Sequence, residues 1–187
     1  MRRINLFLIA VFIWVSGVGN KAQSQQISIG TNMFDYLALG TLNLQMSYSL
    51  NKHYSLFLES KYNPFSFGSE ENRKQLKQMS IAVGTKYWPW FVNSSWFFSG
   101  AIFFGKYNYG GVFTNKSYEG RAFGGNFGGG YAWMLGKRLN LEIGLGAFVG
   151  TTHYRRYSCV VCGVEEVEKS KVVVVPSDVQ IALSFIF

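Results

Sequence analysis

The stretch Leu42-Asn43-Leu44-Gln45-Met46-Ser47-Tyr48-Ser49-Leu50 decides the fold. Every even position is large and apolar, and every odd position is small or polar. Successive side chains of a β-strand point to opposite faces, so this period of two gives one greasy face and one polar face; no helical period fits it. The pattern returns near the C-terminal end, where Val179, Ile181, Leu183, Phe185 and Phe187 alternate with Gln180, Ala182, Ser184 and Ile186. It returns again in Leu139, Leu141, Ile143, Leu145, Ala147 and Val149, set against Asn140, Glu142, Gly144, Gly146 and Phe148.

Working outward from these runs, eight such segments are expected, at about 26–34, 41–50, 53–64, 78–89, 95–107, 120–135, 138–151 and 177–187. The connections alternate in length. Those at Asn51-Lys52, Trp90 to Ser94 and Gly136-Lys137 are short, whereas 65–77, 108–119 and 152–176 are long and Asp35 to Gly40 is intermediate. Asn, Gly and Lys suit tight hairpin turns. Short turns at one end and long loops at the other are the pattern of an outer-membrane barrel.

Composition points the same way. Aromatic residues make up 18% of the chain and charged residues only 15%. A chain this aromatic must place much apolar surface, and a barrel that turns alternate residues to lipid does so without a membrane-crossing helix. Ahead of the strands lie Arg2 and Arg3, an apolar run from Ile4 to Val18, and Ala22-Gln23-Ser24. That order reads as a secretory signal cut near Ser24. Residues 1–24 are therefore expected to be a signal peptide and 25–187 the barrel domain. The net charge of +8 falls to +5 when the three cations Arg2, Arg3 and Lys21 are removed. The remaining excess is scattered over turns and loops. In an exported chain it suits anionic lipid headgroups or lipopolysaccharide, and no stripe suggests nucleic acid.

Four tryptophans follow the signal: Trp88, Trp90, Trp96 and Trp133. All lie close to a short turn, which reads as an aromatic girdle at headgroup level, with Phe187 closing the last strand on the same outward set. The tyrosines Tyr62, Tyr107, Tyr109, Tyr118, Tyr154 and Tyr157 gather toward the long loops and read as a second belt. A terminal aromatic on an alternating strand also resembles the signal read by the barrel assembly machinery.

If the apolar parity faces lipid, Glu59, Lys61, Lys86 and Glu142 face the lumen. Glu59, Lys86 and Glu142 fall at similar distances from their turns. Buried charges need partners, so an internal ion-pair network plugging the barrel is expected; a charged constriction in a narrow channel is the alternative. Gly124, Gly128 and Gly130 share that inward face and read as room for bulky neighbours such as Phe97 and Phe103 rather than as a phosphate loop, since no helix follows. Cys159 and Cys162 read as a small disulfide in the last long loop; a redox pair would want a following helix and a zinc site two more ligands. Thus no metal or cofactor site is expected. His153 stands at the outer end of the seventh segment, where a lipid-modifying enzyme would place its catalytic group, but hydrolysis there needs a hydroxyl within reach and a carboxylate to orient the ring.

Thr31-Asn32, Thr85-Lys86-Tyr87-Trp88, Tyr118-Glu119-Gly120, the glycine-rich sixth segment, Leu139 to Gly146 and the Cys159 to Gly163 element together resemble a Bacteroidota family of small exported barrels known only as a domain of unknown function. In outline the chain is also similar to OmpA-type and OmpW-type eight-stranded barrels. The resemblance implies fold and location and carries no catalytic residues. It also implies surface-fimbria or other envelope proteins as partners. The expectation is an all-β protein: an eight-stranded antiparallel transmembrane β-barrel of the bacterial outer membrane, behind an N-terminal signal peptide. Its role is expected to be non-enzymatic, structural or surface-interacting, with a narrow porin-like channel and a lipid-A-modifying enzyme as alternatives.

Overall fold

A computed structural model describes residues 27–69, 73–111, 116–158 and 165–187, apart from the side chains of 165, 166, 177 and 178. The expected signal peptide and the Cys159/Cys162 pair lie outside the described residues. Strands follow one another as β1 (Ile27–Asn32), β2 (Leu42–Ser49), β3 (Tyr54–Asn63), β4 (Ser66–Phe67), β5 (Lys74–Tyr87), β6 (Ser95–Gly110), β7 (Ser117–Met134), β8 (Leu139–Tyr157) and β9 (Glu165–Ile186). A short helix, α1 (Met33–Leu37), links β1 to β2. Neighbouring strands pair antiparallel, β1 pairs with β9, and β3 pairs with β5 across the two-residue β4. The sheet thus closes into an eight-stranded barrel, with β4 a short addition to β5 beyond the rim.

Paired residues share a face. The outward face carries the apolar parity: Val83 pairs with Ile102, and Phe127 with Ala147 beside Leu145. The exposures of Val83, Ile102, Phe127 and Leu145, from 55% to 69%, are those of a surface, not a core. Such a continuous apolar band is far larger than a water-soluble monomer ordinarily shows. The inward face is small, polar or aromatic, with Phe57, Ala82, Lys86, Phe97, Glu142 and Phe148 buried.

The expected long loops are largely strand. β9 runs for 22 residues and β8 for 19, whereas crossing a hydrocarbon layer takes about 9–11 tilted residues. The chain departs from a clean period of two at Val172 to Val175 and Pro176, which hides the strand from a periodicity search. The ladder absorbs the disruption with a register shift between Gly146 and Ala147, where Ala147 pairs with Pro176 and Gly146 with Asp178. A bulge accommodates the missing proline N–H. Since β1, β2 and β3 are short, only β5 to β9 continue, and the closed ring passes into an open, curled sheet.

Two inward rings explain the glycines. A Cβ on Gly130 would come within 2.8 Å of Phe97 Cζ, and one on Gly144 within 3.3 Å. Phe148 makes the same demand on Gly124 (2.9 Å) and Gly150 (2.5 Å). Phe103 packs edge-on against Phe148, so Phe148, rather than Phe103, fills the space left by Gly124.

Candidate functional site

Three of the four expected girdle tryptophans lie outside: Trp90, Trp96 and Trp133 are exposed near the short turns, with Phe187. Tyr131 sits between Trp96 and Trp133, with ring centroids 5.3 and 4.5 Å away, and Tyr54 packs on Tyr87 at the same end. Trp88 is a correction. It is 1% exposed and lies inside the barrel, its ring 5.1 Å from that of Phe97 and its Nε1 donating to Ser55 Oγ at 3.0 Å. Strand parity explains this, because Lys86 faces inward and Trp88 is two residues further on. Trp88, Phe97 and Ala132 form a stopper at the short-turn end, backed by Val92.

Above the stopper, Lys86 Nζ meets Glu142 Oε2 at 2.5 Å, both side chains almost fully buried. Gln180 Nε2 donates to the same oxygen at 3.1 Å and to Gln45 Oε1 at 3.4 Å. The ammonium also stands 4.9 Å from the centre of the Phe97 ring and 5.6 Å from that of Phe57. Lys86 is thus held by one carboxylate and two aromatic faces.

Glu59 and Lys61 belong to a second cluster higher in the lumen. Lys61 Nζ lies 3.0 Å from Asp35 Oδ2 and 3.1 Å from Glu59 Oε1. Glu59 does not share the level of Lys86: Lys86 pairs in register with Ser55, four residues below Glu59 on β3. Asp35 was missed because residues 35–40 read as a connection. The structure builds α1 there, with Asn32 as its cap accepting from Phe34 N. Asn32 also ties the helix to the barrel, donating to Val179 O at 3.1 Å and accepting from Ile181 N at 2.9 Å. Asp35, Glu59, Lys61, Phe103, Tyr107 and Phe148 are among the residues lining a cavity of about 350 Å³ in the upper lumen.

The tyrosines at the long-loop end do not form an outward belt. Tyr107, Tyr109, Tyr118 and Tyr154 share the inward parity and build one ladder, with successive ring centroids 5.7, 5.1 and 6.1 Å apart. Tyr107 Oη shares a 2.6 Å hydrogen bond with Thr152 Oγ1. Burial pushes the Tyr107 phenol above its ordinary pKa, against the pull of that hydrogen bond. Burial raises Tyr109 as well, reinforced by the neighbouring phenols Tyr107, Tyr118 and Tyr154. Tyr62, by contrast, is exposed on the outer face.

On the outer face of the strand extensions lies an open concavity of about 900 Å³. Its lining includes Lys77, Lys106, Glu119, Arg121, His153 and Arg155. His153 Nδ1 is 2.5 Å from Ser170 Oγ, its partner across β8 and β9. Ser170 was not anticipated; its register opposite His153 depends on the bulge at Pro176. The hydroxyls nearer in sequence are engaged elsewhere: Thr151 donates to Phe123 O, and Thr152 faces the lumen. Glu168, on the same strand as Ser170, is engaged with Arg155 Nε at 3.2 Å.

A family model described as a protein of unknown function (DUF3575) matches residues 7–187, so the chain belongs to that family. No curated protein matches the sequence.

Proposed function

We propose that this member of the DUF3575 family is an outer-membrane β-barrel with a closed lumen, whose strand extensions form a non-enzymatic interaction surface outside the membrane. The observation that carries the reading is the continuous exposed apolar band around a closed ring whose interior holds ion pairs. In water that band is costly; in hydrocarbon it is the favoured outer surface, and closure of the ring pairs the strand backbones that a sheet edge would expose there. The aromatic residues Trp90, Trp96, Trp133, Tyr131 and Phe187 at the short-turn end fit a headgroup-level girdle. The signal-like segment 1–24, the outer-membrane location, and the partners expected of it (lipid, lipopolysaccharide, assembly machinery, envelope proteins) are parts of the same proposal.

The channel alternative is disfavoured by the Trp88–Phe97 stopper and the Lys86–Glu142 bridge above it. Heat-modifiable gel migration of detergent-extracted protein tests the barrel. Planar-bilayer recording tests the closed lumen: silence supports it, and steady openings abolished by Lys86→Ala refute it. One observation favours the enzymatic alternative, the 2.5 Å contact of Ser170 Oγ with His153 Nδ1 on the outer face, which is a nucleophile beside a base. Lipid A mass spectra from cells with and without His153→Ala decide it, since an unchanged profile removes the hydrolase reading.

A further inference from the structure

We propose that the outer concavity of the strand extensions binds the phosphate groups of a phosphorylated glycolipid in the surrounding leaflet, through Lys106, Arg121 and His153. The inference rests on the membrane reading above and gives its outer surface a ligand.

The argument begins with register. Lys106 pairs with Arg121, Arg121 with His153, and His153 with Ser170. Four neighbouring strands therefore carry these side chains in one row. The row faces outward, because two residues lower on the same strands stand Phe104, Phe123, Thr151 and Val172, paired in the same order. Strands lie about 4.8 Å apart, so the Lys106 and His153 backbones are roughly 10 Å apart with Arg121 between them. Like charges directly opposite one another on a sheet destabilise it. Neither the Lys106 nor the Arg121 side chain has an ion-pair or hydrogen-bond partner among the described residues to offset that cost. Lys77, two residues beyond outward Met79 on β5, adds a further cation to the lining. A row of cations held side by side without an anion is an arrangement a phosphate group completes, by charge-assisted hydrogen bonds to guanidinium, ammonium and imidazole.

The surroundings name the rest of the ligand. Met79 is exposed beside Lys106 in register, and directly below the row Phe104, Phe123 and Val172 are exposed and continue into the apolar band. A free anion would use none of that surface, whereas a lipid would lay its acyl chains along it and bring its phosphate to the row. Directly above, Asn108, Glu119 and Arg155 line the concavity, with Glu168 bound to Arg155. The Glu119 carboxylate is an acceptor suited to sugar hydroxyls, and Asn108, whose Oδ1 already accepts from Gln75 Nε2 and Ser117 Oγ, offers its amide N–H groups to them. The concavity has the size of ordinary small-ligand sites. From bottom to top it offers apolar chain contacts, the Lys106–Arg121 cations, then mixed polar partners for hydroxyls, which is the order of parts in a phosphorylated glycolipid.

The test uses the full barrel in a non-ionic detergent, titrated with diphosphoryl lipid A and with its enzymatically dephosphorylated form, and read by native mass spectrometry. Heat-modifiable migration establishes that each sample is folded. The wild-type protein should retain the phosphorylated lipid at least tenfold more strongly, and Lys106→Ala/Arg121→Ala should abolish that preference while Lys171→Ala, on the inward face, leaves it intact. Arg121→Glu serves if the double variant does not fold. A millimolar excess of inorganic phosphate should fail to displace the lipid. Equal retention of the two lipids by a heat-modifiable barrel, or a double variant that binds like wild type, overturns the site while leaving the membrane reading standing. Displacement by inorganic phosphate overturns the glycolipid assignment. A protein that is stable without detergent and shows no heat-modifiability overturns both.

Discussion

Removing the Glu142 carboxylate should destabilise the barrel far more than removing the whole ion pair. In the native state Glu142 is the only carboxylate that Lys86 Nζ meets among the described residues, with Gln180 sharing the same oxygen. Glu142→Ala leaves a buried ammonium facing Gln180 and two rings. Breaking a buried pair from one side costs about 3–5 kcal/mol. The Phe97 face, 4.9 Å away, attracts the ammonium with or without Glu142, so it cancels from the comparison and the expected loss stays within that range. Lys86→Met/Glu142→Leu removes both charges and keeps volume, so its cost should stay within about 1–2 kcal/mol. The assay is denaturant unfolding of the barrel in detergent micelles or vesicles, followed by gel migration without boiling. The difference between the double variant and the sum of the singles is the coupling of the pair. Additive singles, with coupling under about 0.5 kcal/mol, would refute a bridge that shields its own charges.

Four further outcomes follow from other parts of the structure. Single-tryptophan variants in brominated lipid should show strong quenching of Trp90, Trp96 and Trp133 and little of Trp88; strong quenching of Trp88 would mean that it faces lipid after all. Trp88→Ala should cost about 3–5 kcal/mol by emptying the stopper, and should open measurable conductance if the stopper is the seal. Gly130→Val should block folding or displace Phe97, because a Cβ there meets both the Phe97 ring and backbone, whereas Gly136→Val, whose Cβ meets nothing within 4 Å, should be tolerated; equal folding yields would contradict this packing. The Tyr107 and Tyr109 phenols should titrate above 10.0, so their contribution to stability is complete below that pH and fades as pH rises through their raised folded-state values; Tyr107→Phe should remove part of the late phenolate absorbance, and an unchanged titration curve would reject the buried ladder.

The strand parity of the barrel was legible because one face had to be apolar and the other had to accommodate charge. Leu42 to Leu50 and Leu139 to Val149 each carry that demand in every residue, and the inward placement of Lys61, Lys86 and Glu142 follows directly from it. The same rule, applied two residues beyond Lys86, would have placed Trp88 inside; proximity to a turn outweighed parity in that reading. The tyrosines were misplaced for the same reason, since Tyr107 and Tyr109 share the parity of Phe103. What could not be read was the continuation of strands past the apolar band. There neither face is greasy, so alternation loses contrast, and the only remaining signal is pairing between residues distant in sequence. Asp35 and Ser170 were lost in that way: one needs the helix capped by Asn32, the other a bulge opposite Pro176, and both are set by long-range register.

The extension of β5 to β9 beyond the closed ring creates a problem that the structure has addressed. Where β1 ends, Asn32 takes over the backbone of β9 at Val179 and Ile181, but further along β9 pairs only with β8 among the described residues. An unpaired edge of this length invites a foreign strand. Lys169 and Lys171 point inward along it, Pro176 removes a donor, and the shift at Gly146/Ala147 twists it, each a recognised means of discouraging strand addition. The edge is therefore built to stay unpaired, and contacts made by the extension must go through its faces. The inward face is occupied by the tyrosine ladder with Lys171 over Tyr154. That leaves the outer face, with its unpartnered Lys106 and Arg121, as the surface free to bind. Charge reversal at Arg121 should accordingly weaken association with whatever the extension contacts, and substitutions along the β9 edge that keep its charge should not.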